Sequence, residues 1–285
     1  MGTSTTGSAS KVFVPRALVT LALLGGLALS GILGVVWFWP TPAPASMISR
    51  SLEMRSSARS RESMRPCVPA APCLAIIIDD IGRDPRALRR LLSLPLALTF
   101  SVLPHASSTP LCLAALRSRG AAVMLHLPME PHDRRELTDE PVVLFKDRAI
   151  LAALRVAFAA VPSPVAVNNH MGSAFTEDPA AMRVVLRELS RRRTPFVDSR
   201  TTSHSVACRI AGEVGLPCLA RDVFLDDPKD LATVRYRLDQ AVRLARRRGR
   251  AIAIGHPFPR TLAVLARLAT RDAGVRVVQL TDMMR

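Results

Sequence analysis

Residues 74–85 read Leu-Ala-Ile-Ile-Ile-Asp-Asp-Ile-Gly-Arg-Asp-Pro, and their reading decides the fold. The apolar run Leu74 to Ile78 has the length of a buried strand, and it ends on two carboxylates, Asp79 and Asp80. Asp84 followed by Pro85 is a helix start, a capping acid with proline at the first position, and predicts a helix over 85–92. The same unit recurs along the chain. Further strands are predicted over 97–102, 121–125, 165–167, 195–197, 251–254 and 275–280. Helices are predicted over 110–118, 149–160, 179–192, 203–213, 228–248 and 261–270, with Asp227 capping the long one and Gly249 stopping it. Such alternation means an α/β fold with a mostly parallel sheet, open or closed as a barrel.

In parallel α/β folds the carboxyl ends of the strands share one face, and ligands bind there. Six predicted strand ends carry polar groups: Asp79 with Asp80, His105, His126 with Glu130, Asn168 to His170, Asp198, and His256. Adjacent carboxylates repel, so burying both needs a cation or a shared proton. In extended chain their side chains point opposite ways, which lets one bind a metal while the other faces a substrate water. The plain alternative is a turn with a capping acid. Asp80, His126 and a third group, His170 ahead of Glu130, would make a nitrogen and oxygen site with one position left for water. Pro128 argues against a helix through His126 to Glu130, and Glu130 is also explained by an ion pair with Arg134 or Arg135. Asn168 to Ser173 reads equally as a polar turn. Asp198 and Arg200 read either as a self-paired cap or as a carboxylate-orienting arginine. No phosphate loop, dinucleotide loop, nucleophile elbow or HExxH stretch occurs in the sequence.

Ala17 to Trp39 is a run of 23 residues without a charge. As a helix it would cover roughly 35 Å, enough to cross a hydrocarbon core. Lys11 and Arg16 precede it, and Trp37, Phe38 and Trp39 end it as an interfacial belt would. An uncleaved signal anchor competes with a signal peptide cut after Ala45, and the length of the run favours the anchor. The expected organisation is a cytoplasmic tail (1–16), a transmembrane signal anchor (17–39), a flexible Pro/Ser/Arg linker (40–72) and a globular domain (73–285). The basic start places that domain on the periplasmic side of a bacterial inner membrane, although the arginines after the run count the other way. Five cysteines form no CxxC pair; Cys208–Cys218 or Cys67–Cys73 is a possible disulfide, and buried free thiols are the expectation.

Lysine plus arginine outnumber the acids 39 to 23, a net charge of +16, and 36 of the 39 are arginine. With aromatics at 4% the composition argues against a stacking nucleic-acid surface. Residues 73–285 keep 32 bases and 21 acids, or +11, which suits an anionic polymer or membrane surface and equally a compositional arginine bias. Oligomeric state is not legible.

Taken in order, IIIDDIG (76–82), PLALTFSVLPH (95–105), HLPMEP (126–131), VNNHMGS (167–173), VDSRTT (197–202), FLDD (224–227) and AIGHP (253–257) resemble the divergent polysaccharide deacetylase family, a branch of the NodB-homology carbohydrate esterases. The resemblance implies a distorted (β/α) barrel and a divalent metal, Zn2+, with Asp79 as general base, Asp80 and His126 as ligands and His256 as general acid. It departs at two places. The His-x-x-x-His pair of the superfamily is His126-x-x-x-Glu130 here, and an Arg-Pro-Pro-Tyr segment is replaced by Asn168 to Ser173. The missing ligand is then His170 or Glu130, with Asn169, Asp198 and Arg200 left to contact substrate or support the ligands. The expected activity is deacetylation of an envelope glycan. The alternative is a membrane-tethered glycan-binding or scaffold protein without turnover.

Overall fold

A computed structural model of the chain describes residues 71–137 and 140–284. The expected membrane span and nearly all of the linker lie outside them. Among the described residues no helix is long and apolar enough to cross a membrane.

The described chain forms one sheet of nine strands with helices between them. The strands are β1 (Cys73–Ile81), β2 (Thr99–Val102), β3 (Ala122–Met129), β4 (Val167–Met171), β5 (Phe196–Asp198), β6 (Cys218–Ala220), β7 (Val223–Phe224), β8 (Arg250–Gly255) and β9 (Arg276–Val278). The helices are α1 (Pro85–Leu92), α2 (Thr109–Ser118), α3 (Ile150–Ala160), α4 (Ser173–Thr176), α5 (Pro179–Arg191), α6 (Ala207–Glu213), α7 (Leu231–Arg248) and α8 (Pro259–Leu268). Every pairing is parallel, in the order β6-β5-β4-β3-β2-β1-β8-β7, with β9 against the start of β1. β6 and β7 are the two ends of that order, so the sheet is an α/β half-barrel open at one seam.

β1 shows why the sequence takes this form. Leu74, Ile76 and Ile78 pack outward among the helices, whereas Cys73, Ala75 and Ile77 face a smaller inner core with Met124, Val197 and Ile254. A strand buried on both faces reads as a continuous apolar run. The C-terminal turn supplies Leu280 and Met283 to the inner core, and the Thr99 hydroxyl accepts a bond from the Leu280 amide at 2.9 Å.

Three local expectations change. β3 runs on through Pro128 to Met129, because β2 stops at Val102 and leaves that edge free of a partner needing a proline N–H. α7 begins at Leu231 rather than Pro228, since Asp230 and not Asp227 caps it, accepting from the Thr233 amide. The free-thiol expectation fails for Cys208 and Cys218, which form a disulfide: α6 lies beside β6 and brings the two Cα atoms to 5.3 Å. Cys73 is also disulfide-bonded, while Cys112 is a buried free thiol.

Candidate metal centre

β1 loses its regular pairing with β2 between Ile78 and Ile81, and Asp80 sits at φ +57°. Left-handed backbone is costly for a non-glycine residue and is held only where its surroundings demand it. The irregularity corrects the expectation that the two carboxylates point opposite ways. Both converge on His126 Nε2, Asp80 Oδ1 at 3.3 Å and Asp79 Oδ2 at 3.6 Å.

Hydrogen bonds around the two imidazoles fix which nitrogen carries a proton. The Asn168 amide N–H donates to both oxygens of Asp79, at 3.0 and 3.1 Å. Its carbonyl oxygen therefore faces His126 Nδ1 at 3.0 Å, so that nitrogen donates and Nε2 keeps its lone pair. On β4, His170 Nε2 lies 3.2 Å from Glu140 Oε1, which leaves Nδ1 as the free acceptor. That Nδ1 is 3.1 Å from both His126 Nε2 and Asp80 Oδ1.

Asp80 Oδ1, His126 Nε2 and His170 Nδ1 thus form a triangle with sides of 3.1, 3.1 and 3.3 Å. Bonds of about 2.0–2.2 Å to a divalent metal set neighbouring ligand atoms about 3.0–3.5 Å apart, between octahedral and tetrahedral angles. Asp80 Oδ1 is buried yet makes no hydrogen bond of acceptable geometry. An acceptor oxygen and two bare imidazole nitrogens aimed at one point fit a cation, and these three residues are a possible metal site.

The charges follow the same logic. Burial raises Asp79, against the pull of His126 and His256. Partial burial would raise half-buried Asp80 too, but the imidazoles of His126 and His170 beside it hold it well below the ordinary carboxylate range. Burial opposes charge on His170, and Asp80 and Glu140 outweigh it, lifting the metal-free group to about 9. His256 is raised by Asp226 despite its own burial.

His256, at the end of β8, completes the opposite wall. Its Nδ1 lies 2.9 Å from Asp226 Oδ1. Asp226 Oδ2 accepts from the His256 amide and from the Thr261 hydroxyl, each at 2.7 Å. A cleft of about 410 Å³ joins the two walls, lined by Asp79, His126, His170, Asn169, Arg200 and His256 among others.

The remaining predicted residues fall outside the triangle. Glu130 is held by Arg134 at 2.6 Å and by the Lys146 amide at 3.1 Å. Asn169 Oδ1 accepts from the Ser199 amide and its Nδ2 donates to the Met171 carbonyl, while Asp198 Oδ1 accepts from the Arg200 amide. These two residues pin the turn after β5. Arg200 lies on the exposed lip of the cleft at φ +51°. His105 lies away from the cluster, exposed beside the Val156 carbonyl. Sequence reasoning misses Glu140, which sits in an irregular loop where no periodicity marks it. Arg83 donates to the same carboxylate at 2.5 Å. Asn168 is legible only as a neighbour of His170, and Asp226 only as part of the FLDD stretch (224–227).

The class that fold and site define is a parallel α/β half-barrel with paired acids and histidines at its carboxyl edge. The chain belongs to the divergent polysaccharide deacetylase family, which residues 76–284 match. It is 34% identical over 214 residues to an uncharacterised protein of Haemophilus influenzae, covering 74% of this chain and 76% of that one. It is 36% identical over 196 residues to the uncharacterised protein YibQ of Escherichia coli, covering 68% of this chain and 61%, less than two thirds, of that one. A solved structure of the uncharacterised protein ATU2773 from Agrobacterium tumefaciens C58 shares the fold, with a TM-score of 0.71 at 22% identity, over 79% of this chain and 94% of that one.

Proposed function

We propose that the protein is a metal-dependent deacetylase of an envelope glycan, tethered by residues 17–39 to the bacterial inner membrane with its domain on the periplasmic side. The observation that carries the reading is the triangle of Asp80, His126 and His170 beside an unliganded carboxylate, Asp79, with an acid-backed imidazole across the cleft. Two nitrogens and one oxygen suit Zn2+. When bound, such an ion supplies Lewis-acid polarisation of the acetyl carbonyl and of water.

The protein's own groups divide the proton work. Asp79 accepts the proton of the attacking water, and its raised affinity for protons brings it nearer the working range of a general base. Asn168 keeps that carboxylate pointed at the site through both oxygens. His256 gives its Nδ1 proton to the bond with Asp226, which leaves the other ring nitrogen to protonate the departing amine or alkoxide. In this reading Arg200, which lines the cleft, meets a substrate substituent.

Elemental analysis of the purified full chain, coupled to acetate release from envelope glycan, tests the proposal. About one tightly held divalent ion per chain and release abolished by Asp80→Ala are expected. Metal binding without acetate release would favour the glycan-binding alternative, and no metal binding would defeat both the site and the mechanism.

A further inference from the structure

The face opposite the cleft gathers arginines from the ends of several helices. Helices in this topology run back from the cleft, so their C-termini gather at the starts of the strands. Arg89 and Arg90 end α1, Arg117 ends α2 and Arg191 ends α5. Arg246, Arg247 and Arg248 end α7, and Arg267 ends α8. The first residues of β8 and β9, Arg250 and Arg276, flank Cys73 in register.

Helix dipoles explain an arginine or two at each helix end. A compositional preference for arginine over lysine changes which cation is used and leaves its position open. Neither accounts for the distribution seen. Residues 231–276 hold eleven arginines against two aspartates, whereas the rest of 73–285 holds 21 bases against 19 acids. Nearly all of the domain's surplus therefore lies on α7, α8 and the strand starts beside them. Of the acids near this face, Asp222 pairs with Arg248, Asp239 with Arg271 and Glu188 with Arg192, and Asp272 accepts from the Gly274 amide.

The chain enters the domain through the same face. The Arg276 amide donates to the Pro72 carbonyl at 2.8 Å, and the Cys73 amide donates to the Gly249 carbonyl at 2.9 Å. Only the 33 residues 40–72 separate this entry from the apolar run 17–39.

We propose that this arginine face docks on the anionic phospholipid surface of the bilayer that anchors the chain. Docked so, the domain holds its cleft roughly 23 Å from the lipid headgroups, the rise of β1 from Cys73 to Asp80, and turns it toward the glycan. The proposal rests on the reading of residues 17–39 as a membrane span, and the experiment separates the two.

The full chain is placed in nanodiscs of phosphatidylcholine alone, or with about a third phosphatidylglycerol, and its arginines are labelled with phenylglyoxal. Several-fold protection of Arg247, Arg250 and Arg276 in anionic discs is expected, with Arg235 and Arg260 at the cleft end unprotected. Equal labelling in both discs overturns the docking while leaving the span intact. A chain not retained by neutral discs overturns the span. The variant Arg243→Gln/Arg247→Gln/Arg250→Gln in the same discs tests the face directly: Arg276 should lose its several-fold protection in anionic discs, and protection equal to the parent's overturns the docking. Protection by soluble polyphosphate equal to that by anionic discs would assign the face to a polymer and overturn it as well.

Discussion

Two histidine systems face each other across the cleft, and they differ in what their partners leave free. On the β1–β3–β4 wall, His126 is turned by the Asn168 carbonyl and His170 by Glu140, so both bare nitrogens meet Asp80 at one point. On the β8 wall, His256 meets a single carboxylate, Asp226, and no second imidazole or acid competes for its other nitrogen among the described contacts. The same side chain is thereby made a ligand on one wall and a proton carrier on the other. The difference lies in the direction of hydrogen bonds, which residue type alone does not specify.

The comparison breaks most sharply at Asp80. Asp80→Ala removes the only oxygen of the triangle and should abolish metal retention, lowering acetate release by about 10³-fold or more. Metal content and single-turnover release measure it. If the ion stays with full affinity, the ligand wall has been misassigned.

The second test acts on the other wall alone. His256→Ala should lower kcat by about 10²- to 10⁴-fold with metal content unchanged. Asp226→Asn gives a finer reading. The Asp226 carboxylate favours the imidazolium and raises His256, so removing its charge lets the proton leave at lower pH. A general acid works only while protonated, and the alkaline limb of the pH–rate profile should therefore move to lower pH. A limb that stays in place would show that His256 is not the acid.

Glu140 comes next. Glu140→Gln keeps an acceptor oxygen but loses the charge that holds His170 Nε2–H, and metal affinity should weaken by about 10- to 100-fold. Competition with a chelator measures this, and Co2+ absorption reports whether the geometry survives. An unchanged affinity would mean that His170 keeps its orientation without help.

These residues also mark how far the sequence carries. The α/β alternation, the acid pair and the ordered histidines are all legible, because a short buried strand imposes a continuous apolar run that stops where the polar edge begins. The convergence of Asp79 and Asp80 is not legible, since it depends on an irregularity in β1 that defeats the alternation rule. Nor is Glu140, whose position is set by contacts with Arg83 and His170 across long separations. Asn168 reads as a turn residue until its amide is seen between Asp79 and His126.

Glu130 gives the smallest and most discriminating test, because the sequence places it where the superfamily has a metal-binding histidine. In the fold it is 7% exposed and holds the loop after β3, through Arg134 and the Lys146 amide. That loop leads on to Glu140, so Glu130 touches the metal wall only at a distance. Burial would raise its proton affinity, but Arg134 and the Lys146 amide overcome this and lower it. A depressed carboxylate adds stability above its unfolded pKa, and the contribution is lost as pH falls through the folded one. Glu130→Gln should therefore cost about 1 kcal/mol at neutral pH, a fall in Tm of about 2–4 °C, and the difference from the parent should shrink in acid. Metal stoichiometry should be unchanged, with affinity falling only a few-fold. Loss of the ion in this variant would restore Glu130 as a ligand and break the assignment of His170.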